Sequence, residues 1–168
     1  MEWLALAGIV ILFSFSFVLL FGAPYVPTLT PQVEAALELV NLKPGETLLE
    51  LGCGDGKVLI AAAQTGLHAV GYELNPFLAL IAWWRTRRFK GAVRVVWGNF
   101  WTKEWPPAEG IFTFLHPRFM PKLDKKIVQS NRQNVKLVSF AFEVPGRKPA
   151  KQKQGVFLYD YSVNVLPS

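Results

Sequence analysis

One cysteine, Cys53, stands among 168 residues, which excludes an internal disulfide framework and a cysteine-rich zinc site. Histidine is nearly as scarce. His68 and His116 lie far apart, without the spacing of a ligand pair, so no metal centre is expected. Acids are the minority, 12 against 18 Lys and Arg. The length holds one domain and leaves no room for a second sizeable core. Charge is missing altogether from Trp3 to Gly22, which reads WLALAGIVILFSFSFVLLFG.

A helix over that run rises roughly 30 Å, the hydrocarbon thickness of a bilayer. Residues 3–22 are therefore expected to cross a lipid bilayer, with an anchor over 1–23 and a soluble domain over 24–168. A cleaved signal peptide is the rival reading, because Phe21-Gly22-Ala23 offers small residues near a cleavage point. Signal peptides open on a positively charged stretch, however, and only Met1 and Glu2 precede this run. The uncleaved, single-pass anchor is preferred. All 18 cations and 11 of the 12 acids lie beyond it, leaving the domain about +7. That excess puts the domain on the cytoplasmic, or matrix-equivalent, side of the membrane. The same charge suits anionic headgroups or nucleic acid, and by itself does not choose between them.

Past two prolines, Pro24 and Pro27, the chain alternates in type. Thr30 reads as an N-cap with Pro31 at the first helical position, and Lys43-Pro44-Gly45 closes that helix. Strands are expected over Thr47–Leu51, His68–Glu73, Val93–Gly98, Gly110–Leu115, Val135–Phe142 and Val156–Tyr161. Helices are expected over Gly56–Gln64, Asn75–Arg88 and Pro121–Ser130, and Pro145–Gln154 reads as a polar surface loop. Such alternation implies an open, mostly parallel α/β sheet of Rossmann-like form, helices on both faces. Because the chain stops soon after Tyr161, a trimmed C-terminal part lacking the usual final helix is expected.

The strongest chemical signal is Glu50-Leu51-Gly52-Cys53-Gly54-Asp55-Gly56, set between a strand and a helix. Glycines at alternate positions allow a sharp turn and let a ligand meet bare backbone. Dinucleotide sites use G-x-G-x-x-G; here the third glycine comes one residue early and an acid leads the loop. Glu73 ends the second strand, where a carboxylate accepts both hydroxyls of a ribose, although strand ends also carry plain surface acids. Gly98-Asn99-Phe100-Trp101 follows the third strand. Asn99 there suits an adenine amino group, while Phe100 either covers the ring or joins the core with Trp101. Cys53 reads as a small packed residue, since no partnered histidine is evident.

These three pieces, in this order, resemble the motifs of class I S-adenosylmethionine-dependent methyltransferases. Over nearly the whole chain the likeness narrows. An apolar segment runs into Pro24-Tyr25-Val26-Pro27-Thr28, followed by ELGCGDGKVLI, GYELNPFLALIAWWR, Asn99-Phe100-Trp101, His116-Pro117, Met120-Pro121-Lys122-Leu123 and Phe157-Leu158-Tyr159-Asp160. That succession resembles the membrane-anchored seven-β-strand protein-lysine methyltransferases that modify the ATP synthase c-subunit and the adenine nucleotide translocase.

The resemblance implies N-methylation of a lysine on a membrane or membrane-proximal protein, S-adenosyl-L-methionine as methyl donor, and no nucleic-acid partner. By position it assigns Glu50, Gly52, Cys53, Gly54, Asp55, Gly56, Glu73, Leu74, Asn99 and Phe100 to the donor. Tyr25, Pro27 and Thr28 would lie over the mouth of the pocket, and His116 and Pro117 would line the acceptor channel. Asn99 departs from the usual acid, and His116 and Arg118 flank Pro117. As linker residues Tyr25 and Thr28 need no chemistry, and for His116 a structural role is preferred over that of a proton acceptor. Phe114-Leu115-His116-Pro117 is not the Asn-Pro-Pro-Tyr type of motif that binds planar amides, and no cysteine sits there for C5 methylation of pyrimidines. Two rivals stay open: methylation of a lipid or small lipophilic molecule, and a binding protein that kept the fold without turnover. Trp83-Trp84-Arg85-Thr86-Arg87-Arg88 would suit a membrane interface, but ordinary helix packing is expected for at least one of the tryptophans.

Overall fold

The computed structural model describes residues 2–5, 8, 28–130 and 134–161. The expected membrane span and the linker residues Tyr25 and Pro27 lie almost wholly outside them. Among the described residues no helix is long and apolar enough to cross a membrane.

From Thr28 the elements run α1 (Thr30–Val40), β1 (Thr47–Leu51), α2 (Lys57–Gln64), β2 (His68–Glu73), α3 (Pro76–Thr86) and β3 (Val93–Trp97). Next come β4 (Gly110–Thr113), α4 (Met120–Gln129), β5 (Lys136–Phe140), β6 (Lys151–Lys153) and β7 (Val156–Asp160). One seven-stranded sheet results, in the order β3-β2-β1-β4-β5-β7-β6. β1 pairs in parallel with β2 and β4, β2 with β3, and β4 with β5, while β7 runs antiparallel to β5 and β6.

β1 shows why its sequence is apolar on both sides. Leu48 packs with Val40, Leu59, Phe112 and Val138 on the face covered by α1, α2 and α3. Leu49 and Leu51 pack with Ile111, Met120, Leu123 and Ile127 on the face covered by α4. A strand buried on both faces reads as a continuous apolar run, and each fully buried leucine contributes about 1.5–3 kcal/mol. From β1 the strand order steps outward to β2 and β3 on one side and to β4 and β5 on the other. The carboxyl ends of β1 and β4 thus flank the topological switch point, where open α/β sheets take their ligands.

Three expectations are corrected. The stretch 145–154 is not all loop, because Lys151–Lys153 forms β6, an exposed strand hairpinned to β7 through Gln154 and Gly155 at φ +51° and +74°. Two successive positive φ values are the mark of a tight hairpin turn, which Gln-Gly hides better than Asn-Gly does. Among the described residues, 141–150 carries no helix between β5 and β6. At the start of α1, Leu29 takes the N-cap position and Thr30 is already helical, without a side-chain cap. Finally, Trp83 and Trp84 are 59% and 56% exposed, so neither is packed inside.

Candidate functional site

β1 delivers the chain into the glycine loop, where Gly52, Gly54 and Gly56 all take left-handed backbone, at φ +86°, +52° and +80°. Around Gly52 an added Cβ would meet nothing within 4 Å, so the backbone there is open to an approaching ligand. At Gly56 a Cβ would come within 3.2 Å of Ala82, because α2 starts hard against α3.

The loop is sewn to the end of β2. The amides of Gly52 and Cys53 both donate to the Tyr72 carbonyl at 2.9 Å. Gly54 N–H donates to Glu73 Oε2 and Asn75 N–H to Glu73 Oε1, each at 2.8 Å. Burial pushes the Glu73 carboxyl above the usual carboxylate range, and the amides of Asn75 and Gly54 pull it part of the way back. Glu50, one residue before the end of β1, is buried and raised well above that range, first by burial and then by the charges of Glu73 and Asp55. Cys53 is buried beneath β2, its thiol raised by burial and by the same carboxyls, so it is a packing residue and no nucleophile.

Asp55 turns to α3, forming an ion pair with Arg85, which also donates to the Asp55 carbonyl at 3.2 Å. Leu74 offers its carbonyl to Trp97 Nε1 at 3.1 Å. Beyond β3, Gly98 N–H donates to the Glu73 carbonyl at 2.8 Å, which draws Asn99 to the same edge. Asn99 Oδ1 accepts from Trp101 N–H at 2.9 Å. Aspartate would make the same turn with the same oxygen, which accounts for Asn in this place. Phe100 is half-buried, 4.7 Å from the Trp101 ring. Thr28 is drawn in from the linker, its carbonyl accepting from Lys57 Nζ at 2.9 Å at the start of α2.

After β4 the materials change. The Phe114 ring lies tilted 4.6 Å from Phe140 and stacked 6.2 Å from Phe142, and the His116 ring lies 6.3 Å from Phe142. His116 and Pro117 are exposed, and His116 Nδ1 accepts from Arg118 N–H at 3.3 Å, capping a short 3-10 turn.

Buried polar atoms are almost always hydrogen-bonded, so unpaired ones point to what a site is for. Among the described residues four buried side-chain atoms have no partner: Gln32 Oε1, Glu50 Oε2, Asn75 Nδ2 and Thr113 Oγ1. Glu50 lies one residue before the end of β1, Thr113 ends β4, Asn75 follows β2, and Gln32 sits in the first turn of α1. All four belong to segments meeting at one edge of the sheet. Gln32, Asn75 and Thr113 were not singled out from sequence. Asn75, expected as the first residue of a helix, is instead its cap, with Oδ1 accepting from Phe77 and Leu78 N–H.

Residues 50–151 match the family model described as the ANTKMT methyltransferase domain. The chain belongs to that family. Among its relatives is the ATP synthase c-subunit lysine N-methyltransferase of Xenopus laevis, 33% identical over 130 residues, covering 75% of this chain and 56% of the relative. Another is the adenine nucleotide translocase lysine N-methyltransferase of Mus musculus, 33% identical over 129 residues with the same shares. The chain thus spans little more than half the length of these relatives. Among solved structures, an RNA methyltransferase from Salinibacter ruber in complex with S-adenosyl-L-homocysteine superposes with a TM-score of 0.77. It is 24% identical and covers 85% of this chain and 99% of its own, a likeness of fold.

Proposed function

We propose that this chain is an S-adenosyl-L-methionine-dependent methyltransferase that N-methylates lysine on a membrane or membrane-proximal protein. The observation that carries the reading is the unpaired Glu50 oxygen, buried beside an open glycine loop whose far side is held by Glu73. A buried carboxyl without a partner fits the ammonium end of a sulfonium amino acid, whose charge would favour its ionised form. The Glu73 oxygens each accept one amide and keep a second lone pair for ribose hydroxyls. Phe100 offers a ring face to adenine, and the Asn99 amide nitrogen supplies a donor beside it. The donor molecule, when bound, supplies an electrophilic methyl group.

What the protein contributes is position and dryness. A lysine amine, ordinarily protonated below about pH 10.4, must arrive neutral, and burial beside a sulfonium charge disfavours its proton. Phe114, Phe140 and Phe142 form the apolar wall for that approach, with His116 and Pro117 at its rim. His116 serves as a cap there and is not required as a base. The names of the relatives support lysine as acceptor, and the apolar run 3–22 supports a single-pass anchor with the domain on the cytoplasmic or matrix-equivalent side.

The test is incubation of the full chain with methyl-labelled donor and native membranes, followed by separate protein and lipid extraction. Label on lysine is expected. Label confined to lipid overturns the lysine acceptor, and absence of donor binding by calorimetry overturns the enzyme reading as a whole.

A further inference from the structure

Helix α3, unlike an ordinary surface helix, is apolar on its outer side as well as its inner one. Its inner side buries Leu78, Ala79, Ala82 and Thr86. Its outer side shows Leu80, Ile81, Trp83 and Trp84, which are 60%, 44%, 59% and 56% exposed. Surface helices turn charged and polar side chains to water, yet from Pro76 to Trp84 this helix has none to turn. Beside it on the edge strand β3, Trp97 is 67% exposed, its indole tied to the Leu74 carbonyl. A contiguous apolar patch rimmed by polar residues marks an interaction surface.

Charge names the partner. From Leu74 to Lys103 there is no acid, but there are six cations: Arg85, Arg87, Arg88, Lys90, Arg94 and Lys103. Arg85 faces the loop and pairs with Asp55. Arg87 and Arg88 emerge at the end of the apolar face, Arg87 lying 4.8 Å over the Trp84 ring and Arg88 4.9 Å over Phe89. Tryptophans and aliphatics flanked by arginines match the boundary between acyl chains and headgroups of a membrane. RNA would use the cations but leave Leu80 and Ile81 with nothing to pack against.

We infer that the outer face of α3, with Trp97 and its arginine rim, docks flat on an anionic lipid leaflet. This contact is separate from the apolar run 3–22, and it does not depend on which acceptor is methylated. Lying at the β3 edge of the sheet, it would fix how the domain is tilted above the membrane.

The buried Cys53 makes the test clean. Leu80→Cys in the full chain, labelled with an environment-sensitive fluorophore, is mixed with vesicles of phosphatidylcholine alone or of phosphatidylcholine with phosphatidylglycerol. A label at Lys148→Cys, in the exposed 141–150 segment, is the control. On anionic vesicles position 80 should shift to the blue and escape iodide quenching, while position 148 remains quenchable. Arg87→Glu with Arg88→Glu should raise the lipid concentration needed by about tenfold or more. The inference is overturned if position 80 stays open to iodide on anionic vesicles, or is shielded equally on neutral ones. It is also overturned if shielding precedes lipid, which would mean self-contact or a second copy, or if single-stranded RNA shields the site and vesicles do not.

Discussion

On the β1–β2 side of the switch point the candidate site consists of backbone amides and buried carboxyls, nearly every one tied to a neighbouring strand or loop. On the β4–β5 side it consists of half-exposed aromatic rings, packed on one another, and a histidine that caps a 3-10 turn. The first arrangement has little freedom, because moving Glu73 breaks two hydrogen bonds from backbone amides and loosens both β2 and the loop. The rings of the second can shift more freely, because packing alone holds them to one another. A ligand with a fixed polar outline suits the former, and a flexible side chain such as lysine suits the latter.

The largest break in this contrast should come from Glu73→Ala. It orphans the Gly54 and Asn75 amides and removes the acceptor for a ribose, hydrogen bonds to charge that are worth about 1.5–3 kcal/mol each. Donor dissociation constants measured by calorimetry should rise by about a hundredfold. Gly71→Ala tests the same side through packing alone. A Cβ there would stand 2.6 Å from Leu59 Cδ1 and 2.7 Å from Cys53 Sγ, tighter than side chains tolerate. Chemical denaturation should show a loss of about 1–3 kcal/mol, and an unchanged midpoint would mean that the loop floor is soft.

Glu50→Gln sharpens the comparison through pH. The folded-state carboxyl of Glu50 is raised, so folding holds a proton there that the unfolded chain gives up near about pH 4.3. Its contribution to stability is complete below that value and declines as pH rises through the folded one. The variant has no such decline. Its stability relative to the parent should therefore improve as pH rises above the unfolded-chain value, while its donor affinity falls. A parallel pair of pH curves would show that Glu50 is not the group responsible. On the aromatic side, Phe142→Ala should lower kcat/KM for a lysine acceptor by about five- to tenfold with donor affinity unchanged, as expected for one aromatic contact. His116→Ala should be the mildest, leaving turnover within about twofold, because only a surface cap is lost.

How much of this was legible follows the same division. Strands β1, β2 and β4 announced themselves as short apolar runs, and the alternate glycines located the loop to the residue. Asp55 was legible as a site residue but not as the partner of Arg85, thirty positions away. β6 escaped notice because KQK carries no apolar alternation; its place comes from pairing with β7. Gln32 and Thr113 carry no local signal at all, since a buried amide or hydroxyl and a surface one are written alike.

By itself the sequence determined the alternation of strand and helix, the position of the phi-positive turn and the residues that lead and follow it, because those are local properties of backbone freedom and apolar period. Only the tertiary structure decided which polar atoms are left without partners at the carboxyl edge, which rings gather after β4 and which side of α3 faces outward. Those depend on what lies across a gap in space, and neighbours in the chain do not record it.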